Sequence, residues 1–379
     1  NNSNYQNYEQ SCLNTRKTGY KCYANLCAMR EKHYVCSCKR YIVNKHSHIS
    51  LKDLAQKLGV SISTVSRALK DSPEIGVQTR ERIKQMAKEL NYRPNPFAIS
   101  LLKNQPRIIG IIVPDLVTHF YSSIINGISR IARENGYSVV ITSSYEQYEL
   151  EKQCVEDLIN IRVEGIIACI SQETTDYTHF SRLLEKNVPL VFFDRVCLRD
   201  QCSCVVVDND VSGRLATEHL LKSGSRRIGF IGGANHLEIV KQRKHGYLET
   251  LRNNGIPIEK ELVECRTLNY EDGRAATRKL LSLSERPDAI LAMNDSLAFA
   301  AMKEIRNHGL RIPQDVALVG YTDEMHSNYV EPALTAVTHQ TDRMGTEACR
   351  LLLNHIQRLL PPKEVVVPTR LVVRGSSVK

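Results

Sequence analysis

From Ile108 to the end of the chain, short apolar runs alternate with amphipathic helical stretches, and few folds accommodate that rhythm. Ile108–Val113, Ser138–Thr142, Gly165–Ile170, Leu190–Phe193, Ile228–Ile231, Ala289–Ala292 and Val316–Val319 are expected as strands buried on both faces. Between them lie helical patterns, clearest where Ile124, Ile125, Ile128, Ile131 and Ala132 share one face. Gly136, Gly224, Gly255 and Gly309 each stand where a helix should end before a strand, and suit a left-handed C-cap. The βαβα order predicts an α/β fold of open parallel sheets with helices on both faces. Roughly 270 residues of it exceed one such sheet, so two lobes with a cleft between them are expected. Ligands of this architecture bind outside the carboxyl ends of the strands.

The stretch before it reads differently. Ser50 with Asp53 makes a capping box, and Leu51, Leu54, Ala55 and Leu58 give one helix a single apolar face. Gly59-Val60 makes a turn, Ser61 caps a second helix, and Val65, Ala68 and Leu69 form its buried side. After Pro73 a third helix is expected from about Thr79 to Leu90, burying Ile83, Met86, Ala87 and Leu90. Three short helices with a glycine turn between the first two make a helix-turn-helix domain.

Charge says what such a domain meets. The first 105 residues carry eighteen Lys/Arg against seven Asp/Glu, while the remainder is close to neutral. A basic end on a neutral body is the footprint of a polyanion. The second helix opens Ser61-Ile62-Ser63-Thr64-Val65-Ser66-Arg67. Ser61, Ser63, Thr64 and Ser66 offer hydroxyls, and the helix start offers free amides, for phosphate. Ile62 lies off the apolar face and suits a thymine methyl, and Arg67 reaches a guanine edge or a phosphate. Beyond Pro94, Asn95 and Pro96 begin a helix of about seven residues, too short to hold without a partner or DNA.

Residues 1–47 are polar and lack periodicity, and are read as a disordered or non-native extension. Cys12, Cys22, Cys27, Cys36 and Cys38 crowd it without the spacing of a zinc module. The other seven cysteines lie in apolar segments, as reduced thiols do. No run of eighteen apolar residues crosses a membrane and no secretory signal is recognisable, so a cytoplasmic location is expected. That also counts against a stand-alone solute-binding protein, which would lack the DNA reader. For an enzyme, Gly229-Phe230-Ile231-Gly232-Gly233 is the nearest thing to a nucleotide loop, but it has neither the Gly-x-Gly-x-x-Gly spacing nor a Walker lysine. No nucleophile elbow or metal-ligand spacing appears, and no cofactor is expected.

The stretch from Leu54 through Leu69, then Thr79-Arg80-Glu81-Arg82-Ile83 and Leu90-Asn91-Tyr92-Arg93-Pro94-Asn95, resembles the lactose-repressor (LacI/GalR) family. Val163-Glu164-Gly165-Ile166-Ile167, Phe193-Asp194-Arg195, Arg226 to Gly233, Asn294-Asp295 and Pro332-Ala333-Leu334-Thr335 agree in order, and the resemblance spans roughly 49–379. It implies a transcription regulator, most often a repressor, built as a homodimer or higher on double-stranded operator DNA. Its domains would be a reader at 48–94, a hinge helix and linker at 95–106, and a sensor at 107–379 resembling periplasmic binding proteins. The lobes would be about 107–207 with 340–369, and 208–339 with 370–379. In the hinge, Asn95, Ala98 and Leu101 would meet the minor groove, with Leu101 as the wedge. In the cleft, Phe120, Tyr121, Asp194, Arg243, Asn294, Asp295 and Thr322 would line the site of a sugar-like effector. Two departures stand out: Thr322 replaces a frequent Asp, and Leu268 a frequent stacking aromatic, with Tyr270 close by.

Overall fold

The structure, a computed structural model, describes residues 49–92, 106–358 and 360–378. Two compact units separate, one up to Arg93 and one from Pro94 onward. In the first, α1 (Leu51–Leu58), α2 (Ile62–Leu69) and α3 (Val77–Glu89) close on a core of Leu54, Leu58, Val65, Ala68 and Ile83. Ser50 and Asp53 form the reciprocal capping box, Gly59 turns at φ 67°, and Ser61 accepts the amide of Thr64. α3 begins two residues ahead of the expected Thr79; the added Val77 is exposed, so the apolar periodicity could not reveal it.

The second unit holds two six-stranded sheets. The first lobe contains β1 (Ile108–Val113), α4 (His119–Glu134), β2 (Ser138–Ser143), α5 (Tyr148–Asn160), β3 (Gly165–Ala168), α6 (Thr178–Glu185), β4 (Leu190–Phe193) and β5 (Ser203–Val207). The second contains α7 (Asn209–Lys222), β6 (Ile228–Gly232), α8 (Glu238–Asn253), β7 (Val263–Cys265), α9 (Tyr270–Leu281), β8 (Ala289–Ala292), α10 (Asp295–Asn307), β9 (Ala317–Thr322) and β10 (Thr335–His339). The chain then recrosses: α11 (Thr341–Gln357) and β11 (Glu364–Val367) belong to the first lobe, and β12 (Thr369–Val372) to the second. The sheet orders are β11-β5-β4-β3-β1-β2 and β12-β10-β9-β8-β6-β7, parallel throughout except where β12 runs against β10.

The expected strands all form, with ends shifted by a few residues, and five more join them. Of these, β5 and β10 mix polar residues into buried positions, β7 has three residues, and β11 and β12 are half-exposed sheet edges. β5 and β11 nevertheless carry short apolar stretches, at 204–207 and 365–367, which the reading of the sequence passed over. The last crossing falls between Val367 and Thr369, slightly earlier than the boundary at 369–370 expected from the sequence. The glycine run at 229–233 is not a phosphate loop: most of it lies within β6, where Gly229 and Gly232 pass close to Leu280 and Phe230.

Each lobe is clamped by one helix pair crossing on facing glycines. Gly127 of α4 and Gly345 of α11 meet in the first, Gly213 of α7 and Gly246 of α8 in the second. A Cβ on any of the four would collide with a carbonyl oxygen across the crossing, on Asp342, Ile124, Arg243 or Asp210 respectively.

Candidate functional site

On the first unit, the start of α2 presents a compact hydroxyl cluster. Ser61 Oγ lies 2.7 Å from Ser63 Oγ and 2.8 Å from Thr64 Oγ1. Ile62 beside them is 48% exposed, an apolar side chain at the tip of a capped helix with no core to join. Arg67 is held by Glu74 at 2.6 Å, and with both groups exposed that pair is readily exchanged for a phosphate or base. Ser66 is half-buried on the same helix. Asn95, Ala98 and Leu101 lie outside the described residues, as does the extension 1–47.

In the second unit, all seven sequence-derived ligand candidates line one cavity of about 400 Å³ between the lobes. The strand ends bring them there. Asp194 directly follows β4, Asn294 and Asp295 follow β8, and Thr322 ends β9, while Phe120 and Tyr121 open α4. Asp194 (φ 57°) and Thr322 (φ 88°) both stand in the left-handed region, which is costly for a β-branched residue and gathers at functional sites.

Asp194 is 7% exposed, and among the described residues no hydrogen bond reaches its carboxylate. Its closest cation is Arg195, with Nε at 4.0 Å. Burial pushes its pKa up, and the guanidiniums of Arg243 and Arg195 oppose that. Arg243, 3% exposed, donates from Nε to Asn209 Oδ1 at 2.8 Å and from Nη1 to the Met293 carbonyl at 2.6 Å. It also lies 4.6 Å over the Tyr321 ring. Phe120 and Tyr121 pack edge to face with centroids 5.1 Å apart.

Three candidates are engaged within the protein. Asn294 caps α10, its Oδ1 accepting the Leu297 amide at 2.7 Å and its Nδ2 donating to the Leu268 carbonyl at 3.1 Å. Asp295 Oδ2 accepts from the Glu324 amide at 2.8 Å, the Ser327 hydroxyl at 3.0 Å and the Thr322 hydroxyl at 3.2 Å. It thus brackets the loop after β9 rather than presenting a free edge to the cavity. Burial raises the Asp295 pKa to about 7, against the lowering effect of those bonds.

A raised acid pKa makes the native state bind a proton that the unfolded state has released. Stability from this group is complete below the unfolded value and is lost as pH rises toward 7. Asp295→Asn, neutral at every pH, is expected to gain on the wild type between pH 4 and 7, by at most about 1.4 kcal/mol per pH unit. Melting curves at pH 5 and pH 8 for both proteins check this, and an unchanged difference would count against the assignment.

The cavity also holds residues that the sequence did not single out. Arg195 donates to Tyr121 Oη and to both carboxylate oxygens of Glu146, at 2.7 and 2.8 Å. Glu146 also accepts the Gln172 amide at 2.7 Å. Gln172 in turn reaches the other lobe: its carbonyl meets His236 Nε2 at 2.5 Å, and its side-chain oxygen accepts the Leu268 amide at 3.4 Å. Arg195 stood in the quoted motif beside Asp194; Glu146 and Gln172 carried no local signal. Leu268 and Tyr270 both line the cavity.

A helix-turn-helix unit joined in one chain to a two-lobed binding unit defines a ligand-responsive DNA-binding regulator. Residues 50–95 match the bacterial regulatory proteins of the lacI family, and residues 217–377 match the periplasmic binding protein-like domain. The ExuR protein of Bacillus subtilis (strain 168), described as a probable HTH-type transcriptional repressor, is 33% identical over 336 residues, covering 86% of this chain and 98% of its own. The transcriptional repressor CytR of Escherichia coli (strain K12) is 29% identical, covering 86% of this chain and 96% of its own. Among solved structures, the Lac repressor dimer bound to operator and the anti-inducer ONPF superposes with a TM-score of 0.76 at 28% identity, over 87% of this chain and 99% of that one. The transcriptional regulator CelR in complex with cellobiose gives 0.67 at 31%, over 86% and 99%. The chain belongs to the LacI family: it is a DNA-binding transcription regulator and not an enzyme.

Proposed function

We propose that this regulator binds a neutral, polyhydroxylated small molecule of the sugar class in its cleft, and that binding changes its affinity for operator DNA. The observation that carries this is Asp194, a buried carboxylate on the cavity wall that no hydrogen bond among the described residues reaches. Hydroxyl donors are what such an acceptor lacks. The cavity's carboxyl groups, from Asp115, Glu146, Asp194, Asp295 and Glu324, outnumber its guanidiniums, Arg195 and Arg243, which disfavours phosphorylated or carboxylated sugars. Phe120 and Tyr121 supply an apolar wall for the C–H face of a ring. Thermal-shift titration with neutral sugars and with sugar phosphates tests this, since a ligand raises stability by RT ln(1 + [L]/Kd). A response to phosphates alone would overturn the neutral reading.

On the DNA side, the reading is a homodimer in the cytoplasm repressing transcription from a two-fold operator, as the operator-bound Lac repressor dimer suggests. The α2 start with Ser61, Ser63, Thr64, Ser66 and Arg67 holds phosphate and base edges, Ile62 meets a thymine methyl, and Asn95, Ala98 and Leu101 act in the minor groove. Ile62→Ala should lower operator affinity about tenfold or more, with affinity for scrambled duplex unchanged, because one base contact contributes roughly 1–3 kcal/mol of discrimination. Paired titrations at one salt concentration read it out; equal losses on both duplexes would remove Ile62 from base reading. No described helix is long and apolar enough to cross a membrane.

A further inference from the structure

The cleft does not end at the cavity just described. On the far side of Asp194 and Arg195 lies a second chamber of about 560 Å³, which shares Asp194, Arg195 and Ile239 with the first. Each volume falls in the range of small-molecule sites. We propose that the second chamber takes the second ring of a two-ring ligand, a neutral disaccharide or a glycoside of that size, whose first ring sits against Phe120, Tyr121 and Arg243. This rests on the reading of the first chamber as a polyol site.

The walls carry the argument. Tyr177, Leu198 and Leu237 give the second chamber apolar surface, while Gln201, Lys241 and Gln242 give it a polar rim. A pyranose has the same division, a C–H face and a hydroxyl edge. The chamber's fixed charges balance, Arg195, Arg199 and Lys241 standing against Asp194, Asp200 and Glu238, so no excess of positive charge selects a phosphate. The ring it receives is therefore neutral rather than phosphorylated. At the junction stands Asp194, buried, reached by no hydrogen bond among the described residues, and lining both chambers. A hydroxyl near the bond joining the two rings meets that carboxylate. Tyr177, Leu198 and Gln201 belong to the first lobe, and Leu237, Lys241 and Gln242 to the second, so a two-ring ligand touches both lobes in each chamber.

The experiment is calorimetric titration of the full chain with cellobiose, maltose, lactose and sucrose, and with glucose, galactose and fructose. Wild type is expected to bind at least one disaccharide tenfold or more tightly than either of its component monosaccharides. Gln242 lines the second chamber but not the first. Gln242→Trp should fill that chamber and bring the disaccharide down to the monosaccharide level, with monosaccharide affinity unchanged; Lys241→Trp is the second plug, should the first not fold. A monosaccharide that binds as tightly as every disaccharide, or plugs that leave disaccharide affinity untouched, would overturn the second chamber and leave the first standing. Silence from both sugar panels would overturn the polyol reading of the cleft, and this inference with it.

Discussion

Arg243→Ala is expected to abolish the response to ligand while the unliganded protein still binds operator. Arg243 sits at the cavity wall with its guanidinium fixed at three points: the Asn209 side chain, the Met293 carbonyl and the Tyr321 ring. Such a fork is pre-organised, so a ligand hydroxyl meets a donor that loses little freedom on binding. Removing it deletes that donor and leaves Asn209 Oδ1 and the Met293 carbonyl without their partner, each costing about 1–3 kcal/mol. The sensor should therefore melt earlier as well as fail to respond. Arg243→Lys separates the two effects, because it keeps the charge and loses the fork. Expected are ligand affinity at least a hundredfold weaker for Arg243→Ala, an intermediate loss for Arg243→Lys, and operator affinity of the unliganded protein within about threefold of wild type. Normal ligand affinity in Arg243→Ala would remove Arg243 from the site.

Gly246→Val, outside the cleft, should strongly destabilise the sensor. At the crossing of α7 and α8 the backbones are so close that a Cβ at Gly246 collides with the Asp210 carbonyl oxygen and crowds the Arg214 amide. Backbone atoms cannot swing aside as a flexible side chain does, so the helices must separate. Overpacking typically costs about 1–3 kcal/mol, and a backbone collision that forces two helices apart belongs at the upper end. The loss also reaches function: Arg243 lies one turn earlier on α8, and its carbonyl is what a Cβ on Gly213 would strike. Separation of the helices then shifts the guanidinium from the cavity wall. A melting temperature lowered by several degrees, with weakened ligand response and intact DNA binding, is the expected result. Gly246→Ala should show the same pattern in milder form. A Gly246→Val protein as stable as wild type would mean that the two helices do not cross this closely.

The amino-acid sequence alone determined the order of elements, because periodicity and caps are local. Ser50, Asp53, Gly59 and Ser61 define the reader's helices through bonds that span no more than a few residues. The apolar runs at β1, β4, β6 and β8 announce buried parallel strands for the same reason. The ligand candidates were legible through the resemblance to the LacI/GalR family, whose cleft positions Asp194, Asn294 and Thr322 match, and the convergence of strand ends in this architecture agrees with that placement. Only the tertiary structure decided what each of them does there. That Asp295 brackets the loop after β9 through Oδ2, that Asn294 is occupied as a cap, and that no hydrogen bond among the described residues reaches the Asp194 carboxylate depend on which donors fold within about 3 Å. The partnership of Arg195 with Glu146 spans 49 positions, and that of Gln172 with His236 spans 64. The edge strands β11 and β12 likewise form because a sheet waits for them, their apolar stretches being short and half-exposed. Long-range pairing is set by the packed chain as a whole, and no short window of residues encodes it.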